Sequence, residues 1–312
     1  MPAPDVDYGE TEPPGLGASP RTEPRRFPRL CQSTLDDLPP TVRRPRYDRS
    51  KLSIGLVHIG VGAFHRCHQQ EMLDDLLHLR DNERWGECGI NLRSPDLGEM
   101  LGPQHGLYGR ILCDGDARDV RVLGGIVKTI DALPGRSADH IVRALSDPDV
   151  KVISLTITEK GYCHHPATSR LDRQHVDLRA DVLALQRDPH AERVMLRTAP
   201  AYLLASLARR RAHNDAVPTF MSCDNVPDNG SLLGSVVAEL ADEVAPTIVG
   251  TRRTKRPADR RVNHDGWLVA LPVALPRAVA QLVEHRSPKP TVGGSSPSCP
   301  AHIPMGAINV IG

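Results

Sequence analysis

Residues His58–Gln69 read HIGVGAFHRCHQ, directly after the apolar run SIGLV and directly before a stretch with helical spacing. Two glycines set one residue apart, Gly60 and Gly62, therefore fall where a strand meets a helix. That context suits a phosphate-cradling turn. Gly60 allows the tight turn, and Gly62 lets the backbone approach a pyrophosphate at the helix N-terminus. The third glycine of the full dinucleotide fingerprint is replaced by His65. On pattern alone, a plain strand-to-helix turn fits as well as a dinucleotide site.

Outward from this turn, apolar runs alternate with helical patterns from Ser53 to about Val244. SIGLVHIG, ECGINLR, KVISLTIT and PTFMSC read as strands. LYGRILC and DVRVLGGIV read as a hairpin or as further strands. Phe64–Arg80 reads as a helix with Met72, Leu73, Leu76 and Leu79 near one side, followed by helices over Pro200–Ala212 and SLLGSVVAELADEV. The alternation predicts an α/β fold: a Rossmann-like, mostly parallel sheet with helices on both faces. Residues 1–28, rich in Pro, Gly, Glu and Arg, read as a disordered arm, 29–244 as the folded domain, and 245–312 as a disordered tail without a core pattern.

Composition narrows the function classes. A chain of 312 residues with formal net charge +1 presents no strong field for nucleic acid or an anionic membrane. It holds no apolar run long enough to span a bilayer. The opening MPAPDVDYGETEPPG lacks the apolar core of an export signal. The cysteines are seven, scattered and free of C-x-x-C, which suits reduced thiols and a cytoplasmic location. His58, His65 and His68, and the group Cys163, His164 and His165, lack a further ligand at finger-like spacing, so no metal site is expected. Arg209–Arg211 read as a solvated helix face.

GVGAFHRCH has the form G-x-G-x-F-x-R-x-H, and WGECGINLRSPD, VISLTITEKGY, YLLASLARRR and FMSCDNVPDNG follow it in order. Together these motifs resemble the long-chain polyol dehydrogenase family, which includes mannitol dehydrogenases and hexuronate reductases. The resemblance spans Lys51 to about Val244. It implies a Rossmann domain that binds NAD and an oxidoreductase that moves hydride between NAD and a small-molecule polyol or sugar acid. It also implies roles by position. His58, Ile59, Gly60, Val61, Gly62, Ala63, Phe64 and Arg66 form the cofactor turn, and Asp96 takes the adenosine ribose hydroxyls. Glu159 stands beside the catalytic centre as a proton-path residue, and Asn225 holds the substrate oxygen. Asp96 also reads as an acid at a helix N-terminus, Glu159 as a loop acid paired with Lys160, and Asn225 as a turn asparagine.

The family continues into a helical domain with a general acid–base lysine, a pattern not found in residues 245–312. There the chain turns to TRRTKRPADRR and then to AVAQLVEHRSPKPTVGGSSPSCP. Ala280–Glu284 and Gly294–Pro297 can be read, by one choice of codons, as sequences with the form of the D- and T-arms of a transfer RNA. The expectation is therefore a truncated or frameshifted product with impaired activity, or a non-catalytic dinucleotide-binding remnant.

Overall fold

The computed structural model describes residues 29–79, 82–94 and 96–244, together with the backbone of 309–311. The arm expected over 1–28 lies outside the described residues, as does all of 245–312 except that strand, including the transfer-RNA-like stretch.

Five strands form one wholly parallel sheet: Ile54–Ile59 (β1), Gly86–Asn91 (β2), Ile126–Asp131 (β5), Val152–Leu155 (β6) and Thr219–Ser222 (β9). Their spatial order is β5-β2-β1-β6-β9. The chain builds outward from β1 to β2 and β5, then crosses back to lay β6 and β9 on the other side. The order of strands thus reverses between β1 and β6, and doubly wound sheets open a crevice at such a point. The helices are Gln70–Leu77 (α1), Leu97–Leu101 (α2), Asp139–Ser146 (α3), Val176–Arg187 (α4), Ala199–His213 (α5) and Asn229–Val244 (α6).

Both faces of the sheet are covered, as its apolar strands require. Val57, Ile59, Ile153 and Leu155 join a core with Ile141 and Leu145 of α3, Leu203 of α5 and Val236 and Leu240 of α6. On the opposite face Val152 and Leu56 pack with Leu73, Leu76 and Leu77 of α1 and with Trp85. Between β2 and β5 the chain inserts α2 and an antiparallel hairpin of Tyr108–Asp114 (β3) and Ala117–Leu123 (β4). A short antiparallel pair, His164–His165 (β7) and Arg170–Leu171 (β8), precedes α4.

Several elements depart from expectation, each for a local reason. The helix expected over Phe64–Arg80 begins with a π-helical turn at His65–Gln69 and ends at Leu77, where Asn82 Nδ2 donates to the Leu76 carbonyl. Leu79, expected on its apolar side, is 57% exposed. DVRVLGGIV divides at Gly124-Gly125 between two sheets. KVISLTIT is strand only to Leu155: the Thr156 N–H makes the last bond to β1, at the Ile59 carbonyl, and the N–H groups of Ile157 and Thr158 then turn to the Asp224 carboxylate. Asn309–Ile311 (β10) pairs antiparallel with β3, so a piece of the expected tail completes a sheet edge. Arg210, expected on a solvated face, is 1% exposed. Its guanidinium donates to the carbonyls of Leu145, Asp147, Val150 and Ala216, using the planar fork to gather carbonyls from the end of α3, the loop before β6 and the loop after α5.

A second buried cation joins α1 to the hairpin. Arg121 on β4 donates to Asp74 at 2.8 Å, to Asp75, and to Glu71 at 3.2 Å. Asp74 is fully buried and also accepts Tyr47 Oη at 2.5 Å and the Gly124 N–H at 3.2 Å. Truncating Arg121 leaves Asp74 charged and short of its main partner, so Arg121→Ala is expected to lower unfolding free energy by about 3–5 kcal/mol. The Arg43–Asp119 pair is half exposed, and Arg43→Ala should cost under about 1 kcal/mol. Urea denaturation of the two variants checks the contrast.

Candidate functional site

At the carboxyl end of β1 the chain reverses through Gly60 at φ +98°. A Cβ there would stand 2.0 Å from the Thr156 carbonyl oxygen, so this position admits only glycine. The Gly60 N–H bonds the Ile90 carbonyl at 2.8 Å, and the Gly62 N–H folds back to the Gly60 carbonyl at 2.7 Å. Asn91, closing β2, accepts the Val61 N–H at 2.9 Å. The turn is thereby pinned to both flanking strands, β2 and β6.

Gly62 behaves differently. A Cβ built on it meets nothing nearer than the Gly60 carbonyl oxygen at 3.9 Å. Gly62, Ala63 and Phe64 are exposed, with Phe64 at 56%. Ala63 begins the helical run that passes through the π-helical turn into α1, and the first N–H groups of a helix lack intrahelical acceptors. An open cradle beside bare backbone at a helix N-terminus fits a pyrophosphate. Arg66 is half-buried and donates from Nη1 to the Val61 carbonyl, bracing the turn.

Beneath the turn lies a polar layer. His58 is fully buried, with Nδ1 2.7 Å from Ser154 Oγ and Nε2 2.9 Å from Thr156 Oγ1. The His65 ring stacks on it at 3.7 Å between centroids and 10° between planes. A third glycine would serve close helix–strand packing. Here two flat imidazoles fill that layer instead. Glu87 Oε1 lies 2.9 Å from His65 Nε2, yet neither it nor His65 Nδ1 has a hydrogen-bond partner among the described residues. Burial disfavours the charged form of all three: it pushes the Glu87 carboxyl up to about 7, His65 down to about 3 and His58 well below the usual imidazole range.

The opposite bank follows β6 and β9. Leu155 is in register with both Ile59 and Ser222, so the segments after all three leave the sheet at one edge. Glu159 opens a short 3-10 turn after β6 with its side chain 61% exposed and 3.9 Å from His164 Nε2. Asn225 follows β9 and is exposed. Asp96 stands exposed at the start of α2, beyond β2, and makes no side-chain cap bond. The structure thus brings Gly60–Phe64, Glu159 and Asn225 to one edge, with His58 and Ile59 buried below as supports rather than surface contacts. No group of three or more His, Cys, Asp or Glu side chains among the described residues is placed to hold a metal ion.

Sequence reasoning passed over Asn91, Thr156, Glu87 and Asp224. Asn91 and Glu87 carried a signal, as polar residues within a short strand, but not their partners. The others depend on pairings across the sheet.

The Glu87 carboxyl sets a pH dependence of stability. Its folded value is raised, so its contribution is full below the unfolded value of 4.5 and is lost as pH rises toward 7. Glu87→Gln keeps the shape and removes the titration. Urea unfolding should show Gln gaining on Glu between pH 4.5 and pH 8; a constant difference would mean that Glu87 is ionised throughout.

Comparisons with known proteins add the family. The sequence profile described as the mannitol dehydrogenase Rossmann domain matches residues 54–252. The uncharacterized oxidoreductase YeiQ of Escherichia coli is 34% identical over 251 residues, covering 80% of this chain and 48% of YeiQ. The mannitol 2-dehydrogenase of Phaeosphaeria nodorum is 34% identical over 230 residues, 73% of this chain and 38% of that protein. The structure of Pseudomonas fluorescens mannitol 2-dehydrogenase, a ternary complex with NAD and D-mannitol, superposes with a TM-score of 0.63 at 32% identity, covering 70% of this chain and 43% of that one. The match to YeiQ is longer than Lys51–Val244, so the likeness extends beyond the stretch the motifs mark out. The chain spans less than half the length of these relatives. Through the match over residues 54–252, the chain belongs to the mannitol dehydrogenase family and contains its Rossmann domain.

Proposed function

We propose that this chain binds NAD across the crevice between β1 and β6 and serves hydride transfer between NAD and a polyol or sugar acid in the cytoplasm. The observation that carries the reading is the turn itself: Gly60 locked by the Thr156 carbonyl, and Gly62 open above a helix N-terminus at the point where the strand order reverses. The fold match to a mannitol 2-dehydrogenase in complex with NAD and D-mannitol supports it.

Gly60–Phe64 would hold the pyrophosphate, with His58, Ile59 and Arg66 bracing the turn. On the β2 side Asp96 would accept from the adenosine ribose hydroxyls, favouring NAD over NADP because a carboxylate repels the extra phosphate. On the β6 and β9 side Asn225 would donate its amide to the oxygen of the reacting carbon, and Glu159 would carry protons between that oxygen and solvent. NAD, when bound, supplies the hydride acceptor. A second reading is a dinucleotide-binding unit without turnover.

Gly62→Asp tests the cradle. A Cβ there meets no protein atom nearer than 3.9 Å and Gly62 is exposed, so folding should be little affected. Its carboxylate should weaken NADH binding, measured by fluorescence titration, by roughly 100-fold or about 2.7 kcal/mol. Unchanged affinity would remove the pyrophosphate from this turn. Mannitol oxidation with NAD, assayed on the same preparation, separates the two readings.

A further inference from the structure

Thr158 has φ +66° and ψ 159°. That region is essentially reserved for glycine, and Thr158 is β-branched, so the conformation persists only where its surroundings impose it. The imposing group is Asp224. Its Oδ1 accepts the Thr158 N–H at 3.1 Å, and its Oδ2 accepts the Ile157 N–H at 3.0 Å and Tyr162 Oη at 2.7 Å. One carboxylate thus ties both ends of the segment Ile157–Tyr162, which carries Glu159. Asp224 is itself anchored: its carbonyl accepts Asn229 Nδ2 at 2.7 Å and the Val226 N–H at 2.9 Å, and the adjacent Cys223 N–H bonds the Leu155 carbonyl at 2.9 Å. Asn225 is the next residue. The strained segment starts beside Thr156, whose hydroxyl donates to the Gly60 carbonyl at 2.6 Å.

We infer that Asp224 is a positioning residue: its carboxylate holds Ile157 and Thr158 in a strained course that presents Glu159, beside Asn225, to the nicotinamide half of the dinucleotide crevice. This rests on the proposed NAD site. In a doubly wound sheet the two halves of a dinucleotide lie on opposite sides of the switch point. The acid at the β2 side claims the adenosine half, which leaves the β6 and β9 side to the nicotinamide. Strain held by a carboxylate pays for orientation: two charge-assisted bonds from backbone N–H groups fix the segment before any ligand arrives.

The test separates the two halves of the ligand. NADH and ADP-ribose, which lacks the nicotinamide, are titrated against the full chain and against Asp224→Asn, Thr158→Gly and the double variant. Asparagine keeps the shape of Asp224 but turns an N–H toward one of the two backbone N–H groups. Asp224→Asn should weaken NADH by roughly tenfold, the loss expected when charge-assisted bonds are broken, and should reduce the fluorescence of bound NADH. ADP-ribose affinity should stay unchanged, which also reports that the domain is folded. Glycine adopts the Thr158 conformation without a Cβ clash, so adding Thr158→Gly to Asp224→Asn should recover most of the lost NADH affinity. Equal loss for both ligands, no loss for NADH, or no recovery with glycine overturns the inference. A wild-type chain that binds neither ligand overturns the NAD site itself, and this inference with it.

Discussion

At Gly60 two strands and a turn share a space that leaves no room for a single additional carbon. The Thr156 carbonyl lies 2.0 Å from where a Cβ would be, and the backbone runs at a φ that favours glycine. This close approach follows from parallel pairing of β1 with β6, which puts the end of β6 directly over the end of β1. Everything the crevice offers follows from it. The helix begins just above the sheet, Gly62 lies exposed with open space on its Cα side, and the segments after β6 and β9 flank the opening.

The layer under the turn shows what a parallel sheet requires of polar groups within it. His58 and Ser154 sit side by side on paired strands and satisfy one another. His65 covers them with a flat ring, and Glu87 faces that ring without a hydrogen-bond partner on Oε1. Buried polar groups left unpaired are costly. Neutral imidazoles, and a carboxyl whose ionisation burial delays, lower that cost by removing charge. The wide π-helical turn at His65–Gln69 gives the His65 ring its place above His58, and such turns recur at functional sites.

The sheet and the turn were legible in the sequence because their causes are local. β1 is a short apolar run, and two glycines between it and a helical pattern mark the turn, although the carbonyl that confines Gly60 belongs to the distant Thr156. The break of DVRVLGGIV into two sheets was written in its paired glycines, but the direction each half takes depends on Asp74 and Glu87, distant in sequence. Arg210 looked solvated because its neighbours are also arginines; only the loop carbonyls it meets make it a core residue. Of the site, Gly60 and Gly62 were readable from pattern, and Glu159 and Asn225 from motif. Asp224 was hidden as one more polar residue in a turn-rich stretch, since its role depends on N–H groups 66 and 67 residues earlier.

The pairing of β1 with β6 also governs how the chain comes into being. His58 and Ser154 are neighbours in the sheet but 96 residues apart in sequence. A ribosome adding about 5–20 residues per second leaves β1 with one bare edge for roughly 5–20 seconds after it emerges. β2 reaches it sooner, and the hairpin β3–β4 closes from its own local contacts. The apolar edge that later faces β6 must wait. Nascent chains of this kind expose a β-branched strand edge at their centre, where chaperones find their purchase and where stray chains find theirs.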